Sequence, residues 1–341
     1  MRLMNWNIEH MNSWWEGGNA NPPVMRDTFV GNAFSPAITD VPALATRAGE
    51  VVKAVDPDVI AIQEGPGIPE MRHFLTGFVG GTWEVLRGAG GAQALLVAVR
   101  QGRGVTDFTP SATSVGDIDI AGPFTADVDA DLQLDEVDFA RIPQVVGFKA
   151  HGQPFVLINN HLKSKFVNQG EALFNAGGED RLLFFAEALK ARRRISGEAY
   201  RLRAFMDAML ANDPAANIVV CGDLNDGPGS DFFEANFLTH SVVDRVFGSI
   251  FHVERQLTHV LLHGDSTDYT AKFFDFIDKR LNELVIDHIG LSRGITGRFS
   301  WQGRVPVAEY EAQVVDDLSL NERDRAPSDH RPVVVELTPL D

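Results

Sequence analysis

The chain has 341 residues, with 30 basic against 47 acidic side chains and a formal net charge of −17. Hydrophobic residues make up 44% and charged residues 23%, the balance of a globular chain, which excludes disorder, collagen and coiled coil as whole-chain descriptions. The acidic excess argues against a broad basic surface holding nucleic acid by counterion release; a local basic groove, or an acidic site that needs metal cations before it accepts a phosphate, stays open. No stretch approaches the roughly 20 apolar residues of a membrane helix. The N-terminus MRLMNWNIEH has no apolar signal region, so a cytoplasmic protein is expected, or a secreted one if a leader has been trimmed. The single cysteine, Cys221, excludes an internal disulfide and fits a reducing compartment.

In chain order, MRLMNWNIE predicts a strand with polar residues at its exit, and residues 11–40, rich in Gly, Asn and Pro, read as a long loop. Leu44, Ala48, Val51, Val52 and Val55 recur at helical spacing. Asp56-Pro57 ends that helix, because proline disfavours a helical residue before it and lacks the donor to continue one. VIAIQE (59–64) is a short buried strand ending in a carboxylate, and ALLVAVR (94–100) another, after the turn Gly88 to Gly91. Residues 117–138 hold eight acids and no base. QVVGFKA (144–150) and PFVLINNH (154–161) read as a hairpin turning at His151-Gly152-Gln153. A long helix is predicted through about 180–211, with Leu202, Phe205, Met206 and Met209 on one face. NIVVCGDLND (217–226) is strand into loop, VIDHIGLS (285–292) a strand, and RPVVVEL (331–337) the last one. Strands that arrive both as hairpins and across helices predict a mixed α/β fold. No repeat or linker divides the chain, which reads as one domain over 1–341 with loop insertions at about 11–40, 105–140 and 165–211.

The informative pattern is where the polar residues fall. Strand after strand ends in a carboxylate, amide or imidazole: Asn7 and Glu9, Glu64, Asn160 and His161, Asp223 and Asn225, Asp287 and His288, Asp329 and His330. Alone, each is an ordinary turn former or a satisfied core residue. Together they predict one rim of a rigid sheet, where carboxylates would repel one another unless a cation neutralised them. The set is oxygen-rich and lacks cysteine, which suits a hard divalent ion, Mg²⁺ above all, with Mn²⁺ or Ca²⁺ as alternatives.

The segments WNIEH (6–10), IAIQE (60–64), INNHLKSK (158–165), VVCGDLND (219–226), VIDHIGL (285–291) and SDHRPV (328–333), in that order, resemble the endonuclease/exonuclease/phosphatase family, the deoxyribonuclease I-like phosphoesterases, over nearly the whole chain. NNHLKSK and GDLNDGPGS look most like a bacterial branch of extracellular and cell-associated nucleases. The inositol-polyphosphate phosphatase signature is absent around PSDHRPV. The resemblance implies a four-layer α/β sandwich, two packed mixed β-sheets flanked by helices, and metal-assisted hydrolysis of a phosphate ester by in-line attack of water.

By the same resemblance His330 stands next to the attacking water, as base or as stabiliser of the pentacoordinate state, with Asp287 orienting it. Glu64 is the best metal ligand candidate, with Glu9 and Asn7 beside it and Asp329 joining the metal shell. Asp223 and Asn225 position the nucleophile and the phosphate, and Asp223 is also a candidate base or second-metal ligand. His161 donates to a phosphate oxygen or the leaving group, supported by Asn160. Lys163 and Lys165, two apart, could face one way and neutralise a phosphate, or be solvated lysines. Arg141, on entry to a central strand, is a further phosphate contact. His288 alternates with Asp287 and is expected to pack away from the site; Asp226 is expected to be a loop-turn residue and not a ligand.

DVDADLQLDEVD (127–138) starts like a calcium loop but has Leu132 and Asp138 where glycine and glutamate are needed, so it reads as a solvated acidic loop. KARRRISGEAYRLR (190–203) carries six basic residues and one acid, read as the outer face of an amphipathic helix or as a patch for a polyanion. The leading expectation is a metal-dependent nuclease with nucleic acid as substrate. The alternatives are a phosphoesterase for a small phosphodiester or lipid headgroup, with Trp14 and Trp15 as substrate wall, interfacial anchor or core, and a non-catalytic binding scaffold.

Overall fold

The computed structural model describes residues 1–17, 21–32, 35–91, 93–238, 241–262 and 268–341. Twelve strands build two six-stranded mixed sheets: β1 (Arg2–Asn7), β2 (Val59–Gly65), β3 (Trp83–Arg87), β4 (Ala94–Arg100), β5 (Val105–Pro110), β6 (Gln144–Ala150), β7 (Gln153–His161), β8 (Ile218–Asp223), β9 (Thr258–His259), β10 (Asp287–Leu291), β11 (Phe299–Arg304) and β12 (Val333–Pro339). The first sheet runs β11-β12-β1-β2-β4-β3 and the second β9-β10-β8-β7-β6-β5. Each has one parallel pair, β1 with β2 and β7 with β8; all other neighbours are antiparallel.

Strand periodicity explains why these runs are apolar without a break. Leu3, Val59, Ala61, Val219, Cys221 and Ile289 point into the space between the sheets, and Met4, Trp6, Ile60, Ile62, Ile218 and Val220 point out beneath helices. Helix α1 (Val41–Val55) covers the first sheet. Asp40 caps it by accepting from the Ala43 amide, and Asp56 ends it with φ of 52°, just before Pro57. Helix α2 (Gly178–Asn212) covers the second sheet with Ile195, Leu202, Phe205 and Met206. Fully burying each such side chain contributes roughly 1.5–3 kcal/mol. These layers are the sandwich that the resemblance implies.

Between the sheets a short polar layer lies under the rim. Gln63 donates to Asn5 Oδ1 at 2.9 Å and Asn159 Oδ1 at 2.6 Å, while the Asn159 amide donates to the carbonyls of Ile62 and Leu96. Gly222, φ 139°, lets β7 and β8 approach: a Cβ there would lie 2.0 Å from the Asn160 carbonyl.

Four strands of the two sheets escape the sequence reading. β3, β5, β9 and β11 are the sheet edges, and none carries a continuous buried run to mark it. The segment 105–140, expected as a loop insertion, therefore opens with β5, and most of 165–211 is helix. Among the described residues no helix is long and apolar enough to cross a membrane.

Candidate active site

The topology sets the rim. Asn7, Glu64, His161 and Asp223 stand at or next to the C-terminal ends of the four parallel strands, while Asp287 opens the antiparallel β10 at that same end. In register, His161 lies beside Asp223 and Asp223 beside Asp287. His330 arrives from the turn before β12.

His330 Nδ1 donates to Asp287 Oδ2 at 2.7 Å, in full burial for the carboxylate. Thr270 Oγ1 accepts from the Ile286 and Asp287 amides, fixing the start of β10. The His330 backbone is held at both ends: Trp6 Nε1 donates to its carbonyl at 2.8 Å, and its amide donates to Ser328 Oγ, which donates to the Asn7 carbonyl. With Nδ1 so engaged, Nε2 faces Asp329 Oδ1 at 3.7 Å and Asp223 Oδ2 at 3.9 Å. Burial opposes a charge on this ring, but the carboxylates of Asp287, Asp329 and Asp223 hold it well above the usual imidazole range.

Asp223 is its counterpart. Burial, reinforced by Asp287, pushes its carboxyl up to about 7 against the pull of His330. Oδ2 accepts from Asn7 Nδ2 at 2.9 Å and Oδ1 from the Asn225 amide at 2.8 Å. Asn225 is in the left-handed region, φ 51°, and its side chain donates to the Leu162 carbonyl. His161 Nε2 lies between two carboxylates, 3.5 Å from Asp223 and 3.9 Å from Glu64. Burial first, then Arg141 and His330, holds His161 well below its usual range.

Glu64 is also left-handed, φ 58°, at a bulge where β2 loses register with β4. Its Oε2 accepts from the His10 amide at 2.9 Å and from Gln93 Nε2 at 2.8 Å. Gln93 Oε1 in turn accepts from Arg141, which places that guanidinium beside the rim. The sequence assigns neither Gln93 nor His10 a role: Gln93 is a lone polar residue, and His10 ends WNIEH behind the stronger candidates Asn7 and Glu9.

Other expected residues stand elsewhere. Asn160 alternates away from His161, and its amide donates to the Ile158 and Cys221 carbonyls. The Lys165 ammonium is taken by Asp226 and Glu234, so it does not share a face with Lys163. Lys163 donates through its backbone amide to Glu198 and through Nζ to the Ser164 carbonyl. Glu9 is ion-paired with Arg323 at 3.0 Å, and burial together with Asp329 pushes it up to about 7. Asp226 lies in the loop after β8, where its buried carboxylate is an anchor that also accepts the Val242 amide. His288 packs away from His330, as expected.

The basic stretch is not a free patch. Arg192 is buried, paired with Asp231 and stacked 4.4 Å over Phe233; Arg203 bonds Asp207 and the Val246 carbonyl; Arg194 and Arg201 hold carbonyls of the acidic segment. In that segment Asp127, Asp129 and Asp131 accept mainly backbone amides. Trp14 and Trp15 belong to the core under α1.

Oxygen and nitrogen atoms of Asp223, Asp287 and His330 lie within 4.8 Å of one another, a spacing that can hold a metal ion. Asn7 Oδ1 and Asp287 Oδ1 are buried without a hydrogen-bond partner among the described residues. Leftover oxygens among packed carboxylates fit a hard divalent cation.

The sequence model of the Endonuclease/Exonuclease/phosphatase family matches residues 4–330. The chain belongs to that family. It is thus a phosphoric ester hydrolase of a family whose enzymes use divalent metals. A comparison with curated proteins finds no match. Among solved structures, an AP endonuclease from Archaeoglobus fulgidus and a mannosyl-6-phosphatase from Bacteroides thetaiotaomicron are each 16% identical, with a TM-score of 0.50 and 99% of both chains covered. TDP2 from C. elegans is 13% identical, with a TM-score of 0.50, over 98% of this chain and 74% of that one. At these identities the likeness is one of fold.

Proposed function

We propose that the protein, acting as one catalytic unit over 1–341, is a phosphodiesterase that cleaves nucleic acid by in-line attack of water on phosphorus. The observation that carries this reading is the His330–Asp287 pair facing Asp223 across 3.9 Å, with His161 on the far side of the same carboxylate. Glu64 and Asn7 would hold a divalent cation, proposed as Mg²⁺, with Asp329 at its edge; Asn7 has an unpartnered oxygen because its amide nitrogen is turned to Asp223. When bound, the ion supplies positive charge to the phosphoryl and leaving oxygens. Glu9, committed to Arg323, stands behind this group.

His330 keeps a proton at neutral pH and donates through Nε2 to a phosphoryl oxygen, while Asp287 holds its orientation. Asp223 takes the proton of the attacking water as the water–phosphorus bond forms and the ester bond to the leaving oxygen breaks. Asn225 fixes Asp223 through its backbone amide, and His161 donates to a phosphoryl oxygen seated between Asp223 and Glu64. Arg141 and Lys163 provide fixed positive charge on the His161 side. Phe166, next along that loop and 69% exposed, offers a ring on which a base can stack.

A second reading is a small phosphodiester or phosphomonoester as substrate. It is favoured by Arg192, Arg194, Arg201 and Arg203, whose engagement within the fold breaks up the cationic track that the stretch 190–203 would otherwise offer. The test is a panel of plasmid, single-stranded oligonucleotide, bis-p-nitrophenyl phosphate and p-nitrophenyl phosphate with Mg²⁺ or EDTA. The proposal expects nicking and strand cleavage abolished by EDTA; turnover of the monoester alone would replace it by the second reading.

A further inference from the structure

Strand β10 has two faces, and each carries a histidine contact to the machinery. Asp287 looks toward His330. The next residue, His288, looks away and is fully buried. Its Nε2 lies 2.8 Å from the Asp226 carbonyl and its Nδ1 2.8 Å from His259 Nε2. His259 Nδ1 lies 3.0 Å from the Leu261 backbone amide. These contacts fix every proton in the chain. A backbone amide only donates, so His259 Nδ1 accepts and its proton sits on Nε2. That proton goes to His288 Nδ1, so the His288 proton also sits on Nε2, and it goes to the Asp226 carbonyl, which only accepts. Phe247 packs against both rings, 4.9 Å and 6.1 Å between centroids.

The far end of this chain lies in the GDLND loop. Asp226 follows Asn225, whose left-handed backbone is costly for a residue with a Cβ and persists only where the surroundings enforce it. Asn225 in turn orients Asp223 through its amide. The Asp226 carboxylate is anchored by Lys165 and the Val242 amide; its carbonyl is anchored by His288. We propose that His288, backed by His259, is a positioning residue for the hydrolysis: through the Asp226 carbonyl it holds the Asp226–Gly227 peptide, one residue beyond Asn225, so that Asn225 and Asp223 keep their places at the rim. This rests on the reading of Asp223 and Asn225 as parts of the active site.

The test has two independent readouts. Long-range proton–nitrogen NMR of the folded wild-type chain should show both rings as the Nε2-protonated tautomer; a proton on Nδ1 of either ring would overturn the proposal without reference to activity. In steady-state hydrolysis of bis-p-nitrophenyl phosphate with Mg²⁺, His288→Leu should lower kcat about 10–100-fold, the range seen when outer partners of a site are removed. KM should stay within about twofold, and His288→Gln, which keeps a donor near Nε2, should regain most of the loss. In an Asn225→Ala background the same His288→Leu change should cost little, because the two act through one contact. Additive losses, or no rescue by glutamine, would overturn the proposal. Should His288→Leu fail to fold, His259→Phe carries the same cycle, with a smaller loss that also vanishes in the Asn225→Ala background. A wild-type rate for Asn225→Ala alone would instead remove the active-site reading on which the proposal stands.

Discussion

Asn7 Nδ2 donates to Asp223 Oδ2 at 2.9 Å, and this one bond ties the last residue of β1 in the first sheet to the last residue of β8 in the second. It closes the rim across the sandwich. Asn7→Ala should therefore leave Asp223 free to turn and lower kcat about 10–100-fold, with a stability loss of only about 1 kcal/mol for the lost bond. Steady-state kinetics beside urea denaturation separate the two effects.

The two carboxyls raised to about 7 make stability depend on pH with an unusual sign. The folded chain holds the protons of Glu9 and Asp223 up to about 7, whereas the unfolded chain releases them near 4.5 and 3.8. Between those values the native state binds more protons, so stability present at low pH is lost as pH rises. His330, raised by its carboxylates, acts in the same direction. In EDTA, Tm should fall from pH 5 to pH 8, and Asp223→Asn should flatten that slope and raise Tm at pH 8. Thermal melts across that range check it, and a divalent cation should recover most Tm at the alkaline end.

Lys165 and Arg141 should behave oppositely. Lys165→Met leaves Asp226 and Glu234 buried without their cation, a loss of about 3–5 kcal/mol by the usual cost of breaking a buried pair. Arg141→Met should leave stability within about 1 kcal/mol, since its bonds go to Gln93 and, at 3.5 Å, to the Leu162 carbonyl at a half-buried edge. It should raise KM instead. Denaturant melts and KM on one substrate distinguish the two classes of cation.

Arg192 offers a similar contrast with the polyanion reading. Arg192→Glu should destabilise the fold, because it places a charge against Asp231 and removes the ring contact to Phe233. Affinity for nucleic acid, measured by fluorescence anisotropy at a temperature where the variant stays folded, should not change.

Much of the rim was legible because strand ends are legible. An apolar run that meets a carboxylate or imidazole says where a strand leaves or enters the core; four exits, at Asn7, Glu64, His161 and Asp223, and two entries, at Asp287 and Asp329-His330, in order matched one family. Facing directions were legible where alternation alone decides them, as for Asp287 against His288. The same rule, applied to Asn160 and His161, places Asn160 on the opposite face, a step the motif reading passed over. Partners across the fold were not legible. Nothing near Lys165 in sequence announces Asp226 and Glu234, 61 and 69 residues on. Gln93 and Thr270 serve the site as single polar residues among unremarkable neighbours, whereas His10 and Ser328 lie within WNIEH and SDHRPV and serve it through contacts that the motifs do not announce. Edge strands β3, β5, β9 and β11 lack the buried run that identifies a central strand.

The central claim is that an imidazole held by Asp287 and facing Asp223 drives metal-dependent cleavage of a phosphodiester. The most direct measurement is the Mg²⁺-dependent hydrolysis of bis-p-nitrophenyl phosphate by wild-type protein and by His330→Ala, with folding of both verified by circular dichroism. The account predicts EDTA-sensitive turnover that falls by about 10²–10⁴-fold in the variant, the range for a lost acid–base group. Turnover by His330→Ala equal to that of the wild type would contradict it.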